Sequence, residues 1–176
     1  MLKHIKNPPP IIYISGDLPC IKTMAIIGTT HPSLRGEQKA FRFAYELAKS
    51  GFTIVSGYAK GIDTQAHLGA IKGGGKTIMV LPMGILNFKV YSEPYLVIDT
   101  LFSRSIILSK FFPTALWTTA QAMLRNRITS GLSDAVLVVE PGTKGGTVST
   151  VGWANCRGAA RYVSTSTIVI FNLLIL

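Results

Sequence analysis

Apolar residues along this chain fall in short unbroken runs rather than in alternation. The runs are Met24 to Gly28, Thr53 to Ser56, Thr77 to Leu81, Ile106 to Leu108 and Ala135 to Val139, most of them rich in Ile and Val. Strands buried on both faces read this way, because neither face has to meet water. Between the first two runs, Ala40, Phe41, Ala44, Leu47 and Ala48 recur at helical spacing, and Gly51 stands where a helix end favours glycine. After the second run Asp63 stands where a helix N-cap is expected, with Gln65, Ala66, His67, Ala70 and Ile71 inside the helix and Gly73-Gly74-Gly75 beyond it. Repeated βα alternation predicts an α/β fold: a doubly wound, mostly parallel sheet with helices on both faces, three layers in all. The chain divides into a lead-in over 1–23, the α/β core over 24–163 and an apolar tail over 164–176. That tail reads as a terminal strand or as an end diverged from a longer parent.

Composition narrows the partners. The 176 residues are enough for one domain with a sizeable core, and 48% hydrophobic against 15% charged describes a globular chain. Lys and Arg number 18 against 8 Asp and Glu, a net charge of +10 that points to a polyanionic partner. The excess is concentrated: from Arg104 to Arg161 the cations are Arg104, Lys110, Arg125, Arg127, Lys144, Arg157 and Arg161, against Asp134 and Glu140. A generic basic surface that keeps the protein soluble is the plainer explanation. Cys20 and Cys156 are isolated, so a reduced, cytosolic protein is the simplest reading. Met1 to Lys6 runs into Pro8-Pro9-Pro10 rather than into an apolar signal, and Thr167 to Leu176 is about half a membrane span.

In doubly wound sheets, ligands bind beyond the carboxyl ends of the strands, where loop amides and helix N-termini converge. Glycines and hydroxyls gather there in this sequence: Gly28-Thr29-Thr30, Ser56-Gly57, Gly84, and Pro141-Gly142-Thr143-Lys144-Gly145-Gly146-Thr147. Each is ordinary turn chemistry alone, but four on one edge make an anion-binding rim. Beside them Leu124-Arg125-Asn126-Arg127 leads towards the buried run at Ala135. A guanidinium keeps its charge and offers a fixed fork of donors suited to phosphate oxygens. Residues two apart do not share a helix face, however, so one solvated arginine and one structural salt bridge is an equally good reading.

Catalytic signatures are weak. Gly-x-Gly-x-x-Gly is absent after the first strand, and Gly75-Lys76-Thr77 lacks Walker spacing and leads into a strand. Asp63 and His67 lie four apart on one helix face, as a base and its orienter would; the favoured alternative has Asp63 capping the helix and His67 packed beneath it. His4 and His31 have no partners at metal-ligand spacing.

Four blocks in order carry a family resemblance: Gly28 to Thr30, SGYAKGIDTQAHLGAI from Ser56, GGGKTIMVLPMG from Gly73, and RNRITSGLSDAVLVVE from Arg125, with NPPPIIYISGD from Asn7 as lead-in. In these the chain resembles the DNA-processing protein A (DprA/Smf) family, from about Lys6 to Arg161. The resemblance implies a Rossmann-like three-layer αβα domain over 24–163 in a cytosolic, homodimeric protein without catalytic activity or cofactor. It implies that the protein binds and protects single-stranded DNA and loads a RecA-type recombinase onto it during natural transformation. By the same resemblance, Arg125 and Arg127 are phosphate ligands, Gly28, Ser56, Gly57, Gly145, Gly146 and Thr147 form an amide and hydroxyl cradle, and Lys60 and Lys144 are neighbours.

Departures from the family pattern are informative. Thr30 replaces an arginine, the family's Tyr-Pro falls near Lys89-Val90, and its Ser-Glu is Ser109-Lys110. Beyond Arg161 the family's closing strand and Pro-Gly give way to Val163-Ser164-Thr165-Ser166-Thr167, and no accessory helical domain is expected. An alternative is a LOG-type nucleoside 5′-monophosphate phosphoribohydrolase, whose Pro-Gly-Gly-x-Gly-Thr-x-x-Glu loop resembles Pro141 to Thr150. Thr150 stands in place of the acid needed to stabilise a developing oxocarbenium ion or activate water. A nucleotide-binding module of other use fits the same loops.

Overall fold

The computed structural model describes residues 5, 7–18, 22–89 and 103–141, and the backbone of 160–164 and 167–171. The chain runs β1 (Tyr13–Ser15), β2 (Thr23–Gly28), α1 (Leu34–Lys49), β3 (Thr53–Ser56), α2 (Ile62–Lys72), β4 (Thr77–Val80), a 3-10 turn (Ile85–Asn87), β5 (Ser105–Ser109), α3 (Thr119–Gly131), β6 (Ala135–Val139), β7 (Ala160–Ser164) and β8 (Thr167–Phe171). All eight strands form one sheet in the order β1-β5-β4-β3-β2-β6-β8-β7. The five central strands are parallel, and β1, β7 and β8 close the edges antiparallel. The apolar runs therefore mark the parallel strands, and the sheet continues past residue 163 because β8 pairs with β6 from Thr167 onward.

From β2 the chain steps outward through β3, β4 and β5, then returns to place β6 on the other side of β2. That reversal is the topological switch point, and the crevice it opens lies beyond the carboxyl ends of β2 and β6. Alternate residues of the strands face opposite layers. Ile26, Ile54, Ala135 and Leu137 pack with Ala40, Ala44 and Ala48 of α1 and Ala66 and Ala70 of α2. Ala25, Val55, Ile78, Val136 and Val138 pack on the other face with Ile128 of α3 and Leu132 just after it. Small residues on α1 and α2 let these helices lie close, while α3 buries a face that includes Asn126, Thr129 and Ser130. The amino edge is tied by Asp134, whose carboxylate accepts the Thr23 amide at 2.8 Å, and by the Thr23 hydroxyl, which donates to the Leu132 carbonyl at 2.7 Å.

One expected cap is elsewhere. Asp63 is the second residue of α2, the N-cap is Gly61, and no side chain caps this helix. The Asp63 carboxylate turns back to accept the amides of Gly57 and Ala59, at 3.1 and 3.4 Å, and so holds the loop before the helix.

Candidate nucleic-acid interface

The loop after β3 is the centre of the rim. Ser56 is buried and spends its hydroxyl on the Ile26 carbonyl at 2.6 Å, which locks β3 to β2 at their carboxyl ends. Gly57 and Ala59 are held by Asp63, Thr64 donates to the Ala59 carbonyl at 2.8 Å, and Tyr58 between them takes a φ of 57°. A bulky residue in that conformation is strained and persists only where its surroundings over-determine it. Lys60 projects from this loop into solvent.

Arg125 reaches this loop from the opposite layer. Its side chain leaves α3, crosses above the end of β3 and lies against Gly57, so closely that any β-carbon on Gly57 would collide with the guanidinium. Its Nη1 stands 3.9 Å from the Asp63 carboxylate, and the two side chains are only 7% and 9% exposed. The pair thus clasps the two helical layers over the sheet edge. Burial pushes the Asp63 carboxyl up from its ordinary range, and Arg125 and the loop amides pull it back. Burial likewise lowers Arg125, with Asp63 opposing, yet a guanidinium has enough reserve to stay charged. Its Nε is buried without a hydrogen-bond partner, so the cation is incompletely satisfied by the protein.

His67 sits beneath the clasp. The Thr77 hydroxyl donates to the Ile54 carbonyl at 2.9 Å, so it accepts from His67 Nδ1–H at 2.6 Å, and Nε2 is left with its lone pair. Burial, reinforced by Arg125, pushes this imidazole down to about 3. It is a neutral core histidine engaged with Thr77 and tilted against the Tyr58 ring at 5.9 Å, while Asp63 serves the loop.

Arg127 goes elsewhere. It is half-buried and near Lys110 at the carboxyl end of β5; partial burial lowers that lysine, and Arg127 lowers it further. The two arginines therefore serve different places on the edge, as the angular separation of residues two apart on a helix requires. Gly28 ends β2 against the Val139 carbonyl and Ile62. Lys144, Gly145, Gly146 and Thr147 lie outside the described residues.

Sequence reasoning missed Glu140. It follows β6 with a φ of 48°, and its carboxylate accepts the Ser33 amide at 3.1 Å and the Ser33 hydroxyl at 3.0 Å. Ser33 is the N-cap of α1, accepting the Gly36 amide at 3.1 Å. The helix end beside the switch point, where a ligand phosphate commonly sits, is thus already faced by an internal carboxylate. The readable signal was an acid directly after the last parallel strand, opposite a Ser at a helix start.

A family model described as DNA recombination-mediator protein A matches residues 1–168. The chain belongs to this family. It is 35% identical over 161 residues to Protein Smf of Synechocystis, covering 88% of this chain and 40% of that protein. It is 34% identical over 153 residues to DNA processing protein DprA of Bacillus subtilis, covering 85% of this chain and 51% of that protein. The chain thus spans about half the length of these relatives. DNA processing protein A from Helicobacter pylori, solved for its unique single-stranded DNA binding mode, superposes with a TM-score of 0.75 at 32% identity, over 87% of this chain and 71% of that one. Two further polar residues lie on the carboxyl edge of this Rossmann-like domain. Thr30 is exposed beyond β2, its hydroxyl 3.1 Å from His31 Nδ1, and Lys110 stands beyond β5. Among the described residues, no helix is long and apolar enough to cross a membrane.

Proposed function

We propose that this chain binds single-stranded DNA along the carboxyl edge of its sheet, protects the strand, and loads a recombinase onto it during DNA uptake and recombination. The reading places it in the cytoplasm, as a homodimer, with binding rather than catalysis as its role. One observation carries it: Lys110, directly after β5, and Arg127 of α3 are two partly exposed cations on this side of the sheet, near enough to act on each other. The stretch from Ser103 to Arg127 that bears them contains no Asp or Glu, so its own charge is wholly positive. Like charges kept at one place are stabilised by an anion, and a phosphodiester backbone supplies a row of them without requiring base readout. The net charge of +10 and the resemblance to a relative described by its single-stranded DNA binding mode support the same reading.

The test is a titration of labelled oligo-dT at several salt concentrations. The logarithm of affinity is expected to fall linearly with the logarithm of salt, and Arg127→Ala or Lys110→Ala to reduce the slope by about 0.7 for each phosphate no longer neutralised. Arg125→Ala is expected to act chiefly on stability, since its guanidinium is buried in the clasp. Absent binding, or binding indifferent to salt, refutes the proposal.

A further inference from the structure

Beyond the carboxyl ends of β4 and β5 the chain builds an apolar ledge that the phosphate-binding cations do not use. Leu86, Phe112, Leu116 and Trp117 are 72%, 69%, 75% and 56% exposed. Solvated loops rarely hold four such side chains on one short stretch of edge without a use for them. The backbone beneath is fixed. The Gly84 amide donates to the Ala115 carbonyl at 2.8 Å, Leu86 to Pro113 at 3.0 Å, and the Asn87 side chain to Ala115 at 2.9 Å. The Ala115 amide closes on Phe112 at 2.8 Å, and Ser109 Oγ bridges from the Phe111 amide, at 3.1 Å, to the Met83 carbonyl, at 2.6 Å. Gly84 lies so tightly under the Phe112 and Pro113 carbonyls that no β-carbon would fit there. The polar backbone is spent inward, and the apolar side chains are left outward on a rigid support.

Cations border the ledge. Lys89 is exposed just past the 3-10 turn, Lys110 precedes Phe112, and Arg127 lies beside Lys110. Arg104, at the opposite edge, is bound to the Gly74 carbonyl. A partner that presents flat apolar faces and closely spaced negative charge fits both features. Unpaired nucleotides do so, whereas a duplex hides its base faces. A second copy of this chain would bring like charge against the same cations.

We infer that Trp117, Phe112, Leu116 and Leu86 form a stacking platform for the bases of a single strand whose phosphates pass Lys110 and Arg127. This rests on the single-stranded DNA reading above and adds a second binding surface to it. Base stacking on aromatic side chains tolerates any sequence, as a carrier of arbitrary strands requires.

The experiment compares oligo-dT with an abasic oligomer of equal length and phosphate number, by anisotropy at fixed salt, for the full chain and for Trp117→Ala, Phe112→Ser and Arg127→Ala. The wild type is expected to bind oligo-dT about ten-fold more tightly than the abasic strand. Trp117→Ala and Phe112→Ser should erase much of that ratio while leaving abasic affinity and salt slope unchanged. Arg127→Ala should lower both affinities and keep the ratio. Equal wild-type affinity for the two strands, or an unchanged ratio in the ledge variants, overturns the platform while leaving the phosphate reading intact. Binding of neither strand removes both. If Trp117→Ala changes sedimentation rather than the ratio, the ledge is a self-association surface and the inference is wrong.

Discussion

Gly57→Ala tests the clasp between the two layers. The backbone of Gly57 is not left-handed, so an alanine there suffers no torsional strain; the whole penalty comes from the guanidinium occupying the space of the new methyl. Arg125 must then swing away, losing its packing and its 3.9 Å approach to Asp63. Overpacking of this kind costs about 1–3 kcal/mol, and removing one member of a buried pair about 3–5 kcal/mol. The longer separation and the Gly57 and Ala59 amides on Asp63 soften the second figure, so about 3 kcal/mol is expected for Gly57→Ala. Arg125→Ala is expected to cost about the same, because Asp63 keeps the Gly57 and Ala59 amides. In the double variant the methyl meets no guanidinium. Gly57→Ala should then add less than about 0.5 kcal/mol, leaving a coupling of about 3 kcal/mol between the two positions. Urea unfolding of the four proteins at pH 7, with midpoints and slopes fitted together, measures this directly. Additive costs would show that Arg125 does not rest on Gly57, and the account of the clasp would fail.

Three further outcomes are expected at the same edge. His67 is held far below its ordinary 6.5, at about 3, so between these values the unfolded chain binds the extra proton. Stability from this group is complete above pH 6.5 and falls by about 1.4 kcal/mol per pH unit below it; His67→Gln should lack that component in urea midpoints compared at pH 6.5, 5.5 and 4.5. Glu140→Gln removes the anion facing the α1 N-terminus and should cost about 1 kcal/mol, with Ser33→Ala costing slightly more because the cap goes too; a double-mutant cycle should find the two coupled, and full additivity would deny the interaction. Lys110→Glu places an acid beside Arg127 and should lower the salt slope for oligo-dT by more than Lys110→Ala does; an unchanged slope would remove Lys110 from the interface.

The parallel core was legible because burial on both faces leaves an unmistakable composition: the runs at Met24, Thr53, Thr77, Ile106 and Ala135 became β2 to β6, with no end displaced by more than one residue. The antiparallel edge strand β1 was not, since Tyr13–Ser15 is short and mostly exposed and carries no such signature. Of the site, position on the edge could be read but partnership could not. Asp63 stands where a helix cap belongs, and nothing local reveals that it turns back to the preceding loop and meets an arginine from another layer. The Arg125-Asn126-Arg127 stretch left open whether one arginine was structural. The two arginines differ by phase: Arg125 faces the sheet edge and is buried, and Arg127, two residues on, lies near Lys110 after β5. Glu140 was invisible for a related reason, because its partner Ser33 lies more than a hundred residues away in sequence.

These placements change what the departures from the family pattern mean. By the family pattern the sequence resembles, a cation is expected at Thr30 beyond β2 and an acid at Lys110 beyond β5, and this chain has neither. Three strand spacings of about 4.8 Å separate those ends, so the Lys110 cation stands about 14 Å along the edge from Thr30. Near the end of β2 Glu140 faces the α1 N-terminus, and Arg125 is paired with Asp63. Beyond β5 an acid would offset the charge of Arg127, whereas Lys110 repels it and raises the positive potential that an anion meets there. The apolar ledge begins two residues past Lys110, at Phe112. A strand bound here would therefore lie nearer β5 than β2, with Arg127 rather than Arg125 carrying the larger part of its salt-dependent affinity.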